Sequence, residues 1–177
     1  MQQMMQTGYL AAAAAVVSLA ALGGCQSTQY ASPLVTEYDR ADAGGELDFW
    51  HGLAEQPVTT HNDAFHGLIE LAHGSDPTLT YEQRIAWLCE RGYLDWGYYR
   101  PHDQAVTRGT VAQVICRILR IEGGLTMRLI GAHPRYATRE LVYREIMAPG
   151  TAQQAMSGIA FVGVIGKARD HAQEKDL

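Results

Sequence analysis

The residues best suited to chemistry gather between positions 93 and 108. Tyr93-Leu94-Asp95-Trp96-Gly97-Tyr98-Tyr99-Arg100 is the densest aromatic stretch of the chain. Flat aromatic faces beside arginines suit sugar rings with acidic substituents, and Trp and Tyr recur in binding patches. The alternative is that one or two of these rings plug the loop into a core, with Trp96 the best candidate for an exposed face. A few residues on, the Thr107 hydroxyl can cap a helix. Arg108 then projects from a first turn whose free backbone N–H groups already favour an anion. Trp96, Tyr98, Tyr99, Arg100 and Arg108 are therefore the expected contacts for a glycan or an anionic polymer.

Other reactive side chains point to less. His66, Glu70 and His73 are spaced i, i+4, i+7. A zinc helix places its two histidines four apart and needs further ligands, so no metal is expected and these histidines read as solvent-facing or capping. Cys89 and Cys116 are either a disulfide or two buried thiols. There is no Gly-x-Ser-x-Gly, no phosphate-binding glycine loop with Lys-Ser/Thr and no His-Glu-x-x-His. We therefore expect no catalytic residues, no cofactor and no enzyme activity. The pI near 5.8 argues against a generally basic nucleic-acid binder. The net charge of −5 conceals a strong segregation: residues 25–83 carry −9 and residues 84–144 carry +5. The basic segment reads either as a face for an anionic polymer or as a partner for the acidic one.

Helices must position these groups. Phe65, Leu68, Ile69 and Ala72 follow helical spacing, as do Tyr81, Ile85, Leu88 and Cys89. Val111, Val114, Ile115 and Ile118 form a third set, and Phe161, Val164, Ile165 and Ala168 a fourth. Each gives one apolar stripe. Shorter helices are expected over 47–55 and 137–147. Residues 123–131 read as an extended connector or a helical turn. Gly74, Gly92 and Gly123 stand where helices should stop. Thr60 aligns with Thr107 at an offset of 47, and Ser157 with Arg108 at an offset of 49. The expectation is an all-α bundle of three helix-loop-helix modules.

The N-terminus reads as an address. Residues 1–24 hold no charged side chain, and residues 10–22 are Ala/Val/Leu broken only by Ser18. That is too short to span a bilayer but fits a signal-peptide core. Leu22-Gly23-Gly24-Cys25 follows and resembles the lipobox of bacterial lipoproteins. The resemblance implies cleavage before Cys25, a lipid on its sulfur and attachment to a membrane. The expected organisation is a signal peptide over 1–24, a polar tether over 25–45, a helical domain over 46–172 and a disordered tail over 173–177.

Residues 85–120 resemble the S-layer homology (SLH) module. The likeness is carried by the helix ending at Gly92, by Tyr99-Arg100-Pro101, by Thr107-Arg108 and by Ala112, Ile115 and Arg117. Thr60-His61 and Met156-Ser157 stand where the outer modules would carry Thr-Arg, and Gly109-Thr110 replaces the usual acidic residue. The resemblance implies a groove for anionic cell-wall polysaccharide. The expected function is non-enzymatic binding or scaffolding on the cell envelope, with the domain facing the periplasm. The alternative partner is another envelope protein, without glycan binding.

Overall fold

The computed structural model describes residues 28–36, 43–124, 127, 129 and 131–175. The expected signal peptide over 1–24, Cys25 and residues 176–177 lie outside them. The described fold is all-α. Its helices are α1 (Ala43–Glu55), α2 (His61–His73), α3 (Tyr81–Glu90), α4 (Arg108–Ile118), α5 (Pro134–Tyr143) and α6 (Gly158–Lys175). A 3-10 turn over Leu34–Thr36 and isolated β-bridges accompany them, and the described residues hold no sheet. No described helix is long and apolar enough to cross a membrane.

Local chemistry sets the helix limits. Thr60, Thr80 and Thr107 each accept a backbone N–H three residues on, and Thr80 closes a capping box with Gln83. Pro134 opens α5 at a position where its missing N–H costs nothing. Gly74 ends α2 in the left-handed conformation. Helix α4 stops at Ile118, before Gly123, and the left-handed residue after it is Arg120, at φ 51°.

Helix α2 is the centre, with every residue from His61 to Glu70 buried. It packs on α3, α4 and α6, while α1 covers α6 and α5 covers α4. The segments leading into α2, α4 and α6 close a ring. Val106 N donates to Thr59 O, Met156 N to Val106 O, and Thr59 N to Met156 O, at 2.7 to 3.0 Å. The carbonyls of Thr60, Thr107 and Ser157 then each take a bond from the residue four on. Ser157 is therefore the counterpart of Thr107, one residue from the alignment expected. Gly158 permits the closure, since a Cβ there would lie 1.6 Å from the Leu53 carbonyl oxygen.

The N-terminal boundary differs from the expected tether. Ala105 N donates to Gln29 O at 2.8 Å, and Ala31 N to Asp103 O at 3.0 Å. Leu34 and Val35 are in the core, and Val35 N donates to Asp63 Oδ1 at 2.9 Å. Residues 28–36 are thus strapped to the bundle. At the other end α6 runs to Lys175, so residues 173–175 are helical instead of a disordered tail. Helix α1 begins three residues before position 46. In the ambiguous connector, Met127 and Leu129 are helical.

Candidate functional site

The loop over residues 93–100 is held from beneath. Leu94 is buried and its N–H donates to Leu88 O. Asp95 accepts from Arg117 Nη2 at 2.7 Å and from Gln113 Nε2 at 3.1 Å. Gly97, at φ 81°, makes the turn that lets Tyr98 N reach Asp95 O. Trp96 and Tyr99 are 76% and 84% exposed, and Arg100 is exposed beside them in sequence. Tyr98 points the other way. Its ring packs 5.6 Å from Phe65 and 5.9 Å from His61, and burial pushes its hydroxyl up to about 12.

Arg108 is also turned inward, only 6% exposed. Thr107 caps α4 as expected, but the first turn is covered by the loop over 148–154. Arg108 N donates to Gln154 O, Gly109 N to Ala152 O and Arg108 Nη2 to Ala148 O. The five expected polymer contacts therefore do not make one surface: Trp96, Tyr99 and Arg100 face outward, and Tyr98 and Arg108 belong to the interior.

Arg108 lies instead behind a cavity of about 340 Å³. Arg135, Thr138 and Arg139 of α5 form one wall, and residues 150–153 form the other. Among the described residues no carboxylate lines it. Among the described residues Arg108, Arg135 and Arg139 pair with no acid. A Cβ on Gly150 would lie 2.8 Å from Arg108 Nε, so glycine lets the loop pack directly on this guanidinium and a larger residue would have to displace it. That Nε has no hydrogen-bond partner. Burial lowers the pKa of Arg108, yet an arginine stays charged in proteins. A buried, uncompensated cation is unfavourable, and a negative group in the cavity would relieve it. Sequence reasoning missed Arg135 and Arg139. The signal was present: two arginines one helical turn apart with Thr138 between them, in the basic segment.

His66 serves the interior, whereas His73 is exposed, as the solvent-facing reading expected. His66 Nδ1 lies 2.7 Å from Asp76 Oδ2 and its Nε2 3.2 Å from Glu70 Oε1. Arg84 Nε donates to Asp76 Oδ2 at 2.7 Å and Arg84 Nη1 to Asn62 Oδ1 at 2.8 Å. Thr78 N and Oγ1 donate to Asp76 Oδ1. Burial alone would lower His66, but its hydrogen bonds to Asp76 and Glu70 and their charges raise it above the usual value. Burial alone would raise Asp76, but the bonds from His66 and Thr78 and the Arg84 charge hold it well below the carboxylate range. His66 is thus a buried member of an ion cluster, not a solvent-facing or capping group. His73 is separate, 5.9 Å from Trp87. Among the described residues no group of three or more His, Cys, Asp or Glu is placed to hold a metal.

Cys89 and Cys116 are buried free thiols, not a disulfide. They face different neighbours. Cys89 Sγ lies 3.5 Å from Asp95 O. Cys116 feels the charges of Glu140 on α5 and of Arg144 at its C-cap, and burial pushes it up to about 12. No family model matches the chain, and no curated protein or solved structure matches it either.

Proposed function

We propose that the protein is a lipoprotein of the bacterial envelope, anchored through Cys25, that binds an anionic polymer such as an acidic cell-wall glycan without catalysing a reaction. The observation that carries this reading is the arginine-walled cavity between α5 and residues 150–153, with unpaired Arg135 and Arg139 at its rim and Arg108 behind Gly150. Guanidinium forks match carboxylate and phosphate oxygens. Thr151 adds an exposed hydroxyl suited to a sugar-borne acid, whereas the Thr138 hydroxyl already donates to Pro134 O. The SLH-like unit read from residues 85–120 contributes Arg108 beneath Gly150, while the cavity itself is lined from residues 135–153.

The test is retention on isolated cell-wall sacculi, with Arg135→Gln/Arg139→Gln beside the wild type. Hydrogen bonds to charged groups contribute about 1.5–3 kcal/mol each. The double variant is therefore expected to lose at least tenfold in affinity, with its helical circular dichroism unchanged. Retention of wild type should fall steeply with salt. Equal retention of wild type and variant refutes the cavity as the site. A salt-sensitive protein that co-purifies in the absence of glycan binding points to the interaction-module alternative.

A further inference from the structure

Residues 28–36 bind the chain's N-terminal side to the bundle much closer to Cys25 than a tether would. The Gln29 carbonyl is fixed by Ala105 N and the Ala31 N–H by Asp103 O. Cys25 and Gln29 are four residues apart, and four residues reach at most about 14 Å when fully extended. A free linker of some 20 residues would instead let a domain wander about 25 Å from its anchor. The headgroup layer of a bilayer leaflet is roughly 5–8 Å thick. A domain pinned at Gln29 has little room to leave it.

The side chains beside that point suit the interface. Tyr30 pairs with Gln104 and is exposed. Tyr99 and Arg100 come just before the strapped residues 102–105 and are exposed as well. The Arg100 carbonyl accepts from the Tyr81 hydroxyl at 3.0 Å, and the Tyr81 ring lies 6.3 Å from that of His102, which fixes this edge to α3. Arg100 pairs with no acid among the described residues. Tyrosines favour the headgroup level of a bilayer, and a basic side chain there is drawn to anionic lipid.

We infer that Tyr30, Tyr99 and Arg100 form a contact face for the headgroups of the bilayer that holds the anchor. This rests on the lipidation of Cys25 proposed above. The face shares no residue with the arginine-walled cavity, so the protein can hold its attitude on the membrane while the cavity takes its polymer.

The test uses the full-length acylated protein in vesicles of phosphatidylethanolamine and phosphatidylglycerol. Tyr30→Cys, Tyr99→Cys and Tyr143→Cys carry an environment-sensitive fluorophore, and a spin-labelled lipid is the quencher. Tyr143, exposed on α5, is the reference, and the native Cys89 and Cys116 are buried. Quenching several-fold stronger at positions 30 and 99 than at 143 supports the face. The mass of the Cys25 peptide is read on the same sample. Acylated Cys25 with equal quenching at all three positions overturns this inference alone. Unacylated Cys25 overturns the anchor, and this inference with it.

Discussion

Replacing Asp76 by Asn keeps the size of the side chain and removes its charge. In the native protein Asp76 takes His66 Nδ1, Arg84 Nε and both the N–H and hydroxyl of Thr78. Asn at this site leaves Arg84 and His66, only 1% and 3% exposed, without their shared carboxylate. Breaking a buried ion pair by neutralising one partner costs about 3–5 kcal/mol, because the other charge stays buried. Domains of this size are stable by about 5–15 kcal/mol, so a large part of the stability goes. The melting temperature is expected to fall by roughly 9–25 °C, at about 3–5 °C per kcal/mol. Urea unfolding at pH 7, followed by circular dichroism at 222 nm, measures the difference. Adding Arg84→Met to Asp76→Asn should recover part of the loss, since no unpaired guanidinium then remains. An Asp76→Asn variant within 1 kcal/mol of wild type refutes the reasoning, as does a double variant whose cost equals the sum of the singles. The pH dependence has a definite sign. Asp76 lies below its unfolded value, so its contribution is complete above the ordinary carboxyl range near pH 4 and is lost as pH falls beneath it.

His61 and His66 should give stability a maximum near pH 6.5. Burial pushes His61 down to about 4, so stability rises with pH from about 4 to 6.5, by at most about 3 kcal/mol. His66 is raised, so its contribution is complete below about 6.5 and is lost as pH climbs through the folded value. Urea midpoints at pH 4.5, 6.5 and 8.5 read both arms, and a His61→Gln variant should flatten the lower one. Gly158→Ala sets a Cβ 1.6 Å from the Leu53 carbonyl oxygen. It should destabilise by about 1–3 kcal/mol or more, and a melt unchanged from wild type would contradict the close approach of α6 to the end of α1. Cys89 and Cys116 should resist Ellman's reagent in the native protein and react in denaturant. A reductant that lowers the melting temperature would show a disulfide after all.

The helices were legible because their signals are local. The threonines at 60, 80 and 107 and the glycine at 74 lie within one turn of the ends they set. The apolar stripes need only 3.6-residue periodicity. What escaped was non-local. Leu34-Val35 sits in a polar stretch without periodicity, and its burial depends on Asp63, 28 residues away from Val35. Arg108 occupies the expected first turn, but no spacing tells that residues 148–154 fold over it. Asp76 and Arg84 join in a connection and a helix that sequence reading treated apart. The aromatic loop was half readable: its density marked a special segment, while the choice of Tyr98 as its plug is set by Phe65 across the core.

The charge segregation gains its meaning from the pairings. Had the acidic first part neutralised the basic middle, ion pairs would cross between them. Among the described residues Asp76–Arg84 is the Arg–carboxylate pair that does. Arg117–Asp95 and Arg144–Glu140 pair within the basic segment itself. Glu140, next in sequence to Arg139, is thereby spent on Arg144 and offers nothing to the cavity. Among the described residues Arg100, Arg108, Arg135 and Arg139 pair with no carboxylate. Screening reduces exposed charges over about 8 Å at physiological salt, so only acids close to these arginines offset them. The acidic excess raises solubility, and the unpaired arginines leave two local positive sites, one on the strap-proximal loop and one in the cavity. Each has its own salt-dependent readout, lipid contact for Arg100 and polymer retention for Arg135 and Arg139. Arg100→Gln should therefore leave sacculus binding unchanged, and loss of that binding would mean that the two sites act as one.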